Sequence, residues 1–210
     1  MLDRAWDDQW AMNASYTLSF SKGNAEGPVN SDFNFADAGR TEAFDDPWVN
    51  FGGDGYLAND RRHQIKVRGS YGLGEHWRFG AALSAASGRP ISKIGVGNDV
   101  DGQSFHSFMI CTANCTAPVG QRVYELHPRG TEGRTPWIFD LGLNVSYEYS
   151  FSVADLQLKL SVYNVLNQER EVEVNEIFQS AITGAGLDSW GLGAAYQTPR
   201  YATLTLKLDF

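Results

Sequence analysis

The sequence predicts an all-β fold, namely an antiparallel up-and-down transmembrane β-barrel segment of about six strands from a larger barrel. Three observations predict this class. First, apolar and polar residues alternate with a period of two over long stretches. Second, long and short connections between these stretches alternate along the chain. Third, no apolar run approaches the ~18 residues of a membrane-spanning helix. Outer-membrane barrels have long extracellular loops and short periplasmic turns, so we expect the same arrangement here.

The first predicted strand alternates from Trp10 to Phe20. One face carries Trp10, Met12, Ala14, Tyr16, Leu18 and Phe20, and the other carries Ala11, Asn13, Ser15, Thr17 and Ser19. This length matches the ~9–11 residues of a tilted transmembrane strand and exceeds the ~5–6 residues that are usual in soluble proteins.

Five further stretches repeat the pattern, at residues 62–73, 77–85, 137–151, 156–162 and 203–210. The fifth of the six strands is the weakest, because its alternation breaks at Tyr163 and Asn164. The long connections cover residues 22–60, 88–135 and 168–198, and the short ones cover residues 74–76 and 152–155. Because the long connections all leave the same end of the sheet, the last strand must run inwards and end at the periplasmic rim.

Aromatic residues are expected in two belts, one at each membrane surface. The periplasmic belt would contain Trp10, Tyr71, Trp77, Phe79, Tyr147, Tyr149, Phe151 and Phe210, and the outer belt Phe20 and Trp137. The charged residues of the opposite face are predicted to line a water-filled lumen: Arg62, Lys66, Arg68, Glu148, Lys159 and Lys207. A soluble sandwich or lipocalin-like barrel is the alternative, since its apolar face would be its core. The strand lengths and one-sided loops favour the membrane barrel.

Composition and charge narrow the class of protein. The chain has 210 residues, with 22 Gly, 12 Phe, 9 Tyr and 6 Trp, and a net charge of −8. This negative charge argues against nucleic acid as a partner, because phosphate binding needs a basic face. The acidic N-terminus lacks the basic start and apolar run of a signal peptide, so we expect the N-terminal portion of the protein to be missing from this chain.

Cys111 and Cys115 are the two cysteines, four residues apart in the second long connection. Outside the cell they are expected to form a small disulfide that fixes the tip of a loop. A metal site with His106 and His127 remains the alternative, but this spacing fits no standard zinc pattern. The spacing is also not that of a redox-active Cys-x-x-Cys pair.

The first long connection is acidic and aromatic. Its carboxylates are Glu26, Asp32, Asp37, Glu42, Asp45, Asp46 and Asp54, and its aromatics are Phe33, Phe35, Phe44, Trp48 and Phe51. A calcium site is conceivable, although the spacing fits no EF-hand, and solvated charges are the favoured account. The aromatics either contact a ligand or pack together to hold the loop.

Enzymatic activity has no support in the sequence. There is no grouping of a nucleophile with a base, and residues 52–55, Gly-Gly-Asp-Gly, lack the lysine and the following helix of a phosphate-binding loop. We therefore expect no catalytic residue, no cofactor and no metal.

Four segments resemble the late barrel strands of TonB-dependent receptors. They are Asp60–Lys66, Ser87–Ile91, Val162–Asn167, and the finish from Pro199–Tyr201 to Phe210. Together they most resemble the Oar-like branch, over essentially the whole chain, as the last six strands of a 22-stranded barrel. The resemblance implies that the strand ending in Phe210 carries the signal for membrane insertion, with Tyr201, Leu204, Leu206, Leu208 and Phe210 as its residues.

The resemblance also implies transport, in which a large or scarce ligand binds outside the cell and energy from the inner membrane moves a plug. The implied partners are outer-membrane lipid, the barrel-assembly machinery, the missing N-terminal receptor portion with its plug and TonB contact, and an unknown extracellular ligand. The implied location is the outer membrane of a Gram-negative bacterium. This chain has no plug domain, TonB box or signal peptide that we can identify, so we expect it to be a partial barrel domain over residues 1–210.

Six strands cannot close a barrel, for which ~8 is the practical minimum. We therefore expect that the chain alone is not transport-competent. Two other functions remain open. One is a self-assembling oligomeric porin to which each chain contributes six strands, and the other is a soluble β-domain that binds a small apolar ligand.

Overall fold

The computed structural model describes residues 1–7, 9–27, 29, 31–33, 50–97, 106–180 and 183–210. Within these ranges the chain forms strands and two 3₁₀ helices, Ser31–Phe33 and Val119–Gln121. The strands are β1 Leu2–Arg4, β2 Trp10–Leu18, β3 Lys22–Gly23, β4 Gly55–Tyr56, β5 His63–Leu73, β6 Trp77–Ala86, β7 Gly95–Val96, β8 His106–Ser107, β9 Met109–Ala113, β10 Val123–Leu126, β11 Ile138–Ser150, β12 Asp155–Tyr163, β13 Glu171–Val174, β14 Gly193–Tyr196 and β15 Tyr201–Asp209. In the described part of the chain, no helix has the length and apolar character needed to cross a membrane.

Seven strands form one antiparallel sheet in the order β1-β2-β5-β6-β11-β12-β15. Its six long strands are those that the alternation predicts, so the all-β, antiparallel prediction is confirmed. The alternation does not predict β1, because three residues are too few to show a period of two. This strand pairs with β2, with Leu2 opposite Ala14. β1 and β15 are the two edges, and the sheet is not closed into a barrel.

The alternation is in phase across the whole sheet. Successive partners in one row, from β2 to β15, are Trp10, Tyr71, Phe79, Val145, Leu160 and Leu204. Because side chains alternate between faces along a strand, this register places the apolar sets of all six long strands on one face. We call this the apolar face, and the opposite one the polar face.

The short connections are tight turns. Gly74, between β5 and β6, has a φ of 62°, a conformation that suits glycine. Between β11 and β12, the backbone N–H of Phe151 donates to the carbonyl of Ala154 at 2.8 Å. The break in the alternation at Asn164 coincides with the end of β12, where Asn164 has a φ of 46° and its amide donates to the carbonyls of Gln168 and Thr198.

The remaining strands form two-stranded sheets within the three long connections: β3 with β4, β7 with β8, β9 with β10, and β13 with β14. We call the described residues of these connections the loop cluster. Most of the buried apolar residues of the described chain lie there: Leu57, Ala58, Ile94, Val96, Phe108, Ile110, Cys111 and Val174, against Ala85 in the main sheet. The protein core is therefore in the loop cluster, at one end of a sheet whose two faces are largely open.

Candidate functional site

In the described part of the chain, the apolar face is exposed. Leu204 is 70% exposed and Leu206 is 63% exposed on β15, and the terminal Phe210 is 98% exposed. Other large exposed side chains of the same face lie on the neighbouring strands: Tyr71, Phe79, Leu143, Leu158 and Leu160. In water a contiguous face of this kind marks a surface for a partner or a membrane.

Aromatic rings lie at both ends of the apolar face. At the end with the short turns, the ring centroids of Trp77 and Tyr147 are 5.0 Å apart and those of Tyr149 and Phe151 are 4.8 Å apart. At the end with the loop cluster, Trp137 stacks on His63 at 5.8 Å. This spacing into two groups is the arrangement of interfacial aromatic belts.

The insertion-signal residues proposed for β15 divide between the two faces. Leu204 and Leu206 pair with Leu160 and Leu158, and so lie on the apolar face together with Leu208. Tyr201 lies on the polar face, where it stacks on its partner Tyr163 with ring centroids 4.6 Å apart.

On the polar face, the charges nearest the short turns are paired. Glu148 accepts hydrogen bonds from Arg78 Nε at 3.2 Å and from the amide of Gln157 at 2.8 Å. Lys207 forms an ion pair with Asp209 at 2.6 Å. Two of the residues predicted to face the lumen, Glu148 and Lys207, thus have charged partners on β6 and β15.

Three other predicted lumen residues have no ion-pair partner among the described residues. Lys66 and Arg68 on β5 and Lys159 on β12 line one cavity of about 410 Å³ on the polar face. Asp140 is the carboxylate that lines the same cavity.

Arg62 occupies a different environment from the other five. Its guanidinium lies 5.1 Å from the ring centroids of both Phe20 and Tyr56, and 4.0 Å from the carboxylate of Asp60. The buried Asp60 also pairs with Arg134 and accepts a hydrogen bond from the backbone N–H of Ser21 at 2.7 Å. Arg62 is therefore packed against the loop cluster.

A buried ionic network joins the loops of the cluster. Arg129, 3% exposed in its side chain, pairs with Asp32 and lies 3.8 Å from Glu26. Ser92 Oγ donates to Asp32 at 3.1 Å and accepts from the backbone N–H of Gly130 at 3.1 Å. Glu26 and Asp32 come from the first long connection and the others from the second, so the network ties two loops together.

The third long connection enters the network through Glu173 and Glu176, which lie 3.5 Å and 3.2 Å from the buried guanidinium of Arg89. Burial raises the pKa of Glu176 from its ordinary 4.5 to about 9, and the nearby Asp32 carboxylate adds to the rise, while Arg89 opposes it. Glu176 is therefore held neutral at pH 7 by its surroundings.

Stability of the loop cluster should fall as the pH rises. The folded state holds the Glu176 proton between pH 4.5 and about 9, whereas the unfolded state releases it, so the free energy of unfolding decreases across this window. We expect the loops to be cut faster by a protease at pH 9 than at pH 5, and Glu176→Gln to flatten this dependence. Glu125→Gln, at an exposed carboxylate of β10, is the control and should keep it. An unchanged pH dependence in Glu176→Gln would contradict this account.

The network corrects the interpretation of the acidic connection as solvated charge. Asp32 is 2% exposed and Glu26 faces Arg129, so both are buried ion-pair partners, although Asp54 is exposed. The other four carboxylates, Asp37, Glu42, Asp45 and Asp46, and the side chains of Phe33, Phe35, Phe44 and Trp48 lie outside the described part of the chain. The aromatic side chain of Phe51 is exposed. Among the described residues, no group of three or more His, Cys, Asp and Glu could hold a metal ion.

The sequence did not predict that Arg89, Arg129 and Glu176 are buried in an ionic network. Their neighbours in sequence show no alternation, and charged residues in a loop are ordinarily solvated, so no local signal marks them. Their partners come from connections more than 40 residues away, which only the folded structure brings together.

Cys111 and Cys115 form a disulfide in the loop cluster. The side chain of Gln179, from the third long connection, bonds both backbone groups of Cys111. Its Oε1 accepts from the N–H at 2.9 Å and its Nε2 donates to the carbonyl at 2.7 Å. The amide thus substitutes for a neighbouring strand and docks one loop on the other.

Gln179→Ala should detach these two loops. It leaves the buried N–H and carbonyl of Cys111 unpaired, which costs about 1–3 kcal/mol for such a group. Hydrogen exchange should then show the Cys111 amide exchanging roughly 5- to 150-fold faster. The matched control is Gln197→Ala, which removes an exposed amide that donates to the Phe139 carbonyl. Equal exchange at Cys111 in both variants would contradict the role of Gln179.

Comparison with known proteins finds a relative among outer-membrane transporters. The TonB-dependent transporter Oar of Myxococcus xanthus is 30% identical in an alignment 175 positions long, which covers 79% of this chain and 14% of the transporter. The chain thus spans a small part of the length of that relative. No family model matches the chain, and no solved structure matches it. The match supports a relation to TonB-dependent transporters.

Proposed function

We propose that the chain supplies wall strands and outer loops of a TonB-dependent transporter in the outer membrane, for uptake of a large or scarce ligand. The observation that carries this proposal is the register of the main sheet, which puts the apolar residues of six long strands on one uncovered face. A membrane is the surroundings in which such a face is stable.

The different connections at the two ends of the sheet support an orientation of the sheet in the membrane. Its short connections are tight turns, and its long connections fold into the loop cluster at the opposite end. Outer-membrane barrels have short periplasmic turns and longer extracellular loops. We therefore assign the loop cluster to the outer surface and the polar face to the interior of the barrel. The relative at 30% identity is a transporter of the same kind.

The chain requires partners to act in this way. An open sheet leaves backbone groups at β1 and β15 unpaired, and each such group costs several kcal/mol in lipid. We propose that further strands of the same transporter cover these edges, that a plug and its TonB contact complete the protein, and that the barrel-assembly machinery inserts it. Alone, the sheet does not transport.

The two free edges also favour a second candidate, an oligomeric porin in which copies of this chain pair edge to edge. The edges β1 and β15 are both available in the described structure, as this assembly requires. A soluble domain that binds an apolar ligand has less support, because the apolar face is uncovered and the buried core lies in the loop cluster.

The test is the size and location of the native product, measured by immunoblot against β15 in fractionated cells. A band several times larger than 23.2 kDa in the outer membrane supports the transporter. A 23.2 kDa chain that migrates there as a detergent-resistant oligomer supports the porin instead. A product found only in the soluble fraction overturns both.

A further inference from the structure

We propose that Asp32 and Glu176 share one proton, and that this proton holds the 3₁₀ helix Ser31–Phe33 of the first long connection against the rest of the loop cluster. We call this pair the proton latch. The side chains of Asp32 and Glu176 are each 1% exposed, so the chain itself encloses the latch. The inference rests on the proposed function only in placing the loop cluster at the outer surface.

The balance of buried charge requires a proton. Three carboxyl groups of the network are at most 4% exposed, those of Glu26, Asp32 and Glu176. The two buried guanidinium groups that face them belong to Arg129 and Arg89. Three negative charges against two positive ones would leave one buried charge uncompensated. A buried carboxylate in this position takes up a proton and becomes neutral.

The geometry favours the Asp32–Glu176 pair as the site of this proton. The two carboxyl groups are within hydrogen-bond reach of each other. Ser92 holds both, since its backbone N–H donates to Glu176 Oε1 at 3.2 Å and its Oγ donates to Asp32 Oδ1 at 3.1 Å. Among the described residues, neither Asp32 Oδ2 nor Glu176 Oε2 has a hydrogen-bond partner. A proton between the two groups adds the donor that both lack.

The third long connection is held to the second without this proton. The backbone N–H of Ile94 donates to the carbonyl of Glu176 at 2.9 Å, and the N–H of Phe178 donates to the carbonyl of Ile94 at 2.7 Å. Gln179 adds its two hydrogen bonds to Cys111. These contacts involve no titrating group, so the second and third connections stay joined when the proton is lost.

The 3₁₀ helix Ser31–Phe33 is held differently. In the described part of the chain it makes no backbone hydrogen bond to another connection, and its links run through the Asp32 side chain to Arg129, Ser92 and Glu176. Two ionised carboxylates in contact repel each other strongly away from water. Loss of the shared proton therefore releases this helix first.

The direction of the pH dependence follows from where the proton is bound. The closed latch holds the proton and the opened, solvated latch releases it, so rising pH favours the opened form. Burial and then the Asp32 carboxylate raise the pKa of Glu176 to about 9, against the opposing charge of Arg89. Glu173 also faces Arg89, but its side chain is 31% exposed and its charge can be solvated. The latch should accordingly open in the alkaline range.

Pairs of spin labels test the opening in protein purified in detergent from the outer-membrane fraction. The distance between labels at Ser31→Cys and Ala185→Cys, in the first and third connections, should lengthen from pH 6 to pH 10. The distance from Ala185→Cys to Val123→Cys, in the third and second connections, should not change. Glu176→Gln cannot ionise and should abolish the lengthening. Glu173→Gln is the matched control, because it removes a carboxylate beside Arg89 without touching Asp32, and it should keep the lengthening.

Infrared spectroscopy reads the proton itself. The carbonyl band of a protonated carboxyl group should be present at pH 6, lost at pH 10 and absent from Glu176→Gln. A constant distance between the labels at positions 31 and 185, or a lengthening that persists in Glu176→Gln, would overturn the proposal. Fractionation keeps this result apart from the proposed function. Protein found only in the soluble fraction is measured in buffer, where a working latch would stand while the membrane assignment fails.

Discussion

Leu204→Arg should severely reduce the amount of protein inserted in the outer membrane, while Thr205→Arg should leave it nearly unchanged. The two residues are neighbours near the middle of β15, and both are exposed in the structure. Leu204 is on the apolar face and Thr205 on the polar face. An arginine that faces lipid near the bilayer centre costs about 2–4 kcal/mol, whereas an arginine in a water-filled interior is tolerated.

The measurement is the heat-modifiable folded band in outer-membrane fractions of cells that carry each substitution in the native gene. The pair is informative because, if the sheet were surrounded by water, both arginines would be on a solvated surface and should have similar, small effects. Similar levels of the folded band for Leu204→Arg and Thr205→Arg would therefore argue against a lipid-facing β15.

Arg129→Met should lower the stability of the loop cluster. The side chain keeps similar apolar length but loses its charge, so the carboxylates of Asp32 and Glu26 stay buried without their cation. Removing one partner of a buried ion pair costs about 3–5 kcal/mol. We expect protease cleavage of the loops at a much lower urea concentration than in the unchanged protein.

The control for this variant is Arg78→Met on the polar face. Arg78 is half exposed and its pair with Glu148 is solvated, so its loss should cost no more than about 1 kcal/mol. If Arg129→Met and Arg78→Met shift the cleavage midpoint equally, the buried network does not hold the loops together.

The sequence predicts the main sheet well because alternation is a local property. The period of two in β2, β5, β6, β11, β12 and β15 records which side of each strand is apolar, and the two short turns place β5 beside β6 and β11 beside β12. The end of β12 is marked in the same way, by the broken alternation at Asn164.

The loop cluster is not predicted, because its stability comes from contacts between distant connections. Arg129 forms an ion pair with Asp32, 97 positions away in the chain, and Gln179 forms hydrogen bonds with Cys111, 68 positions away. Neither pairing has a local sequence pattern. The cavity on the polar face is predicted in part: the strand pattern places Lys66, Arg68 and Lys159 on one face, but only the register shows that they line the same cavity.

The most direct test of the central claim is spin labelling along β15. The native cysteines are joined in a disulfide, so single cysteines at positions 202–209 can carry the label. The account predicts that labels at even positions are accessible to oxygen dissolved in lipid and labels at odd positions to a water-soluble nickel complex, with a period of two. Accessibility of all positions to the nickel complex, with no alternation, would contradict it.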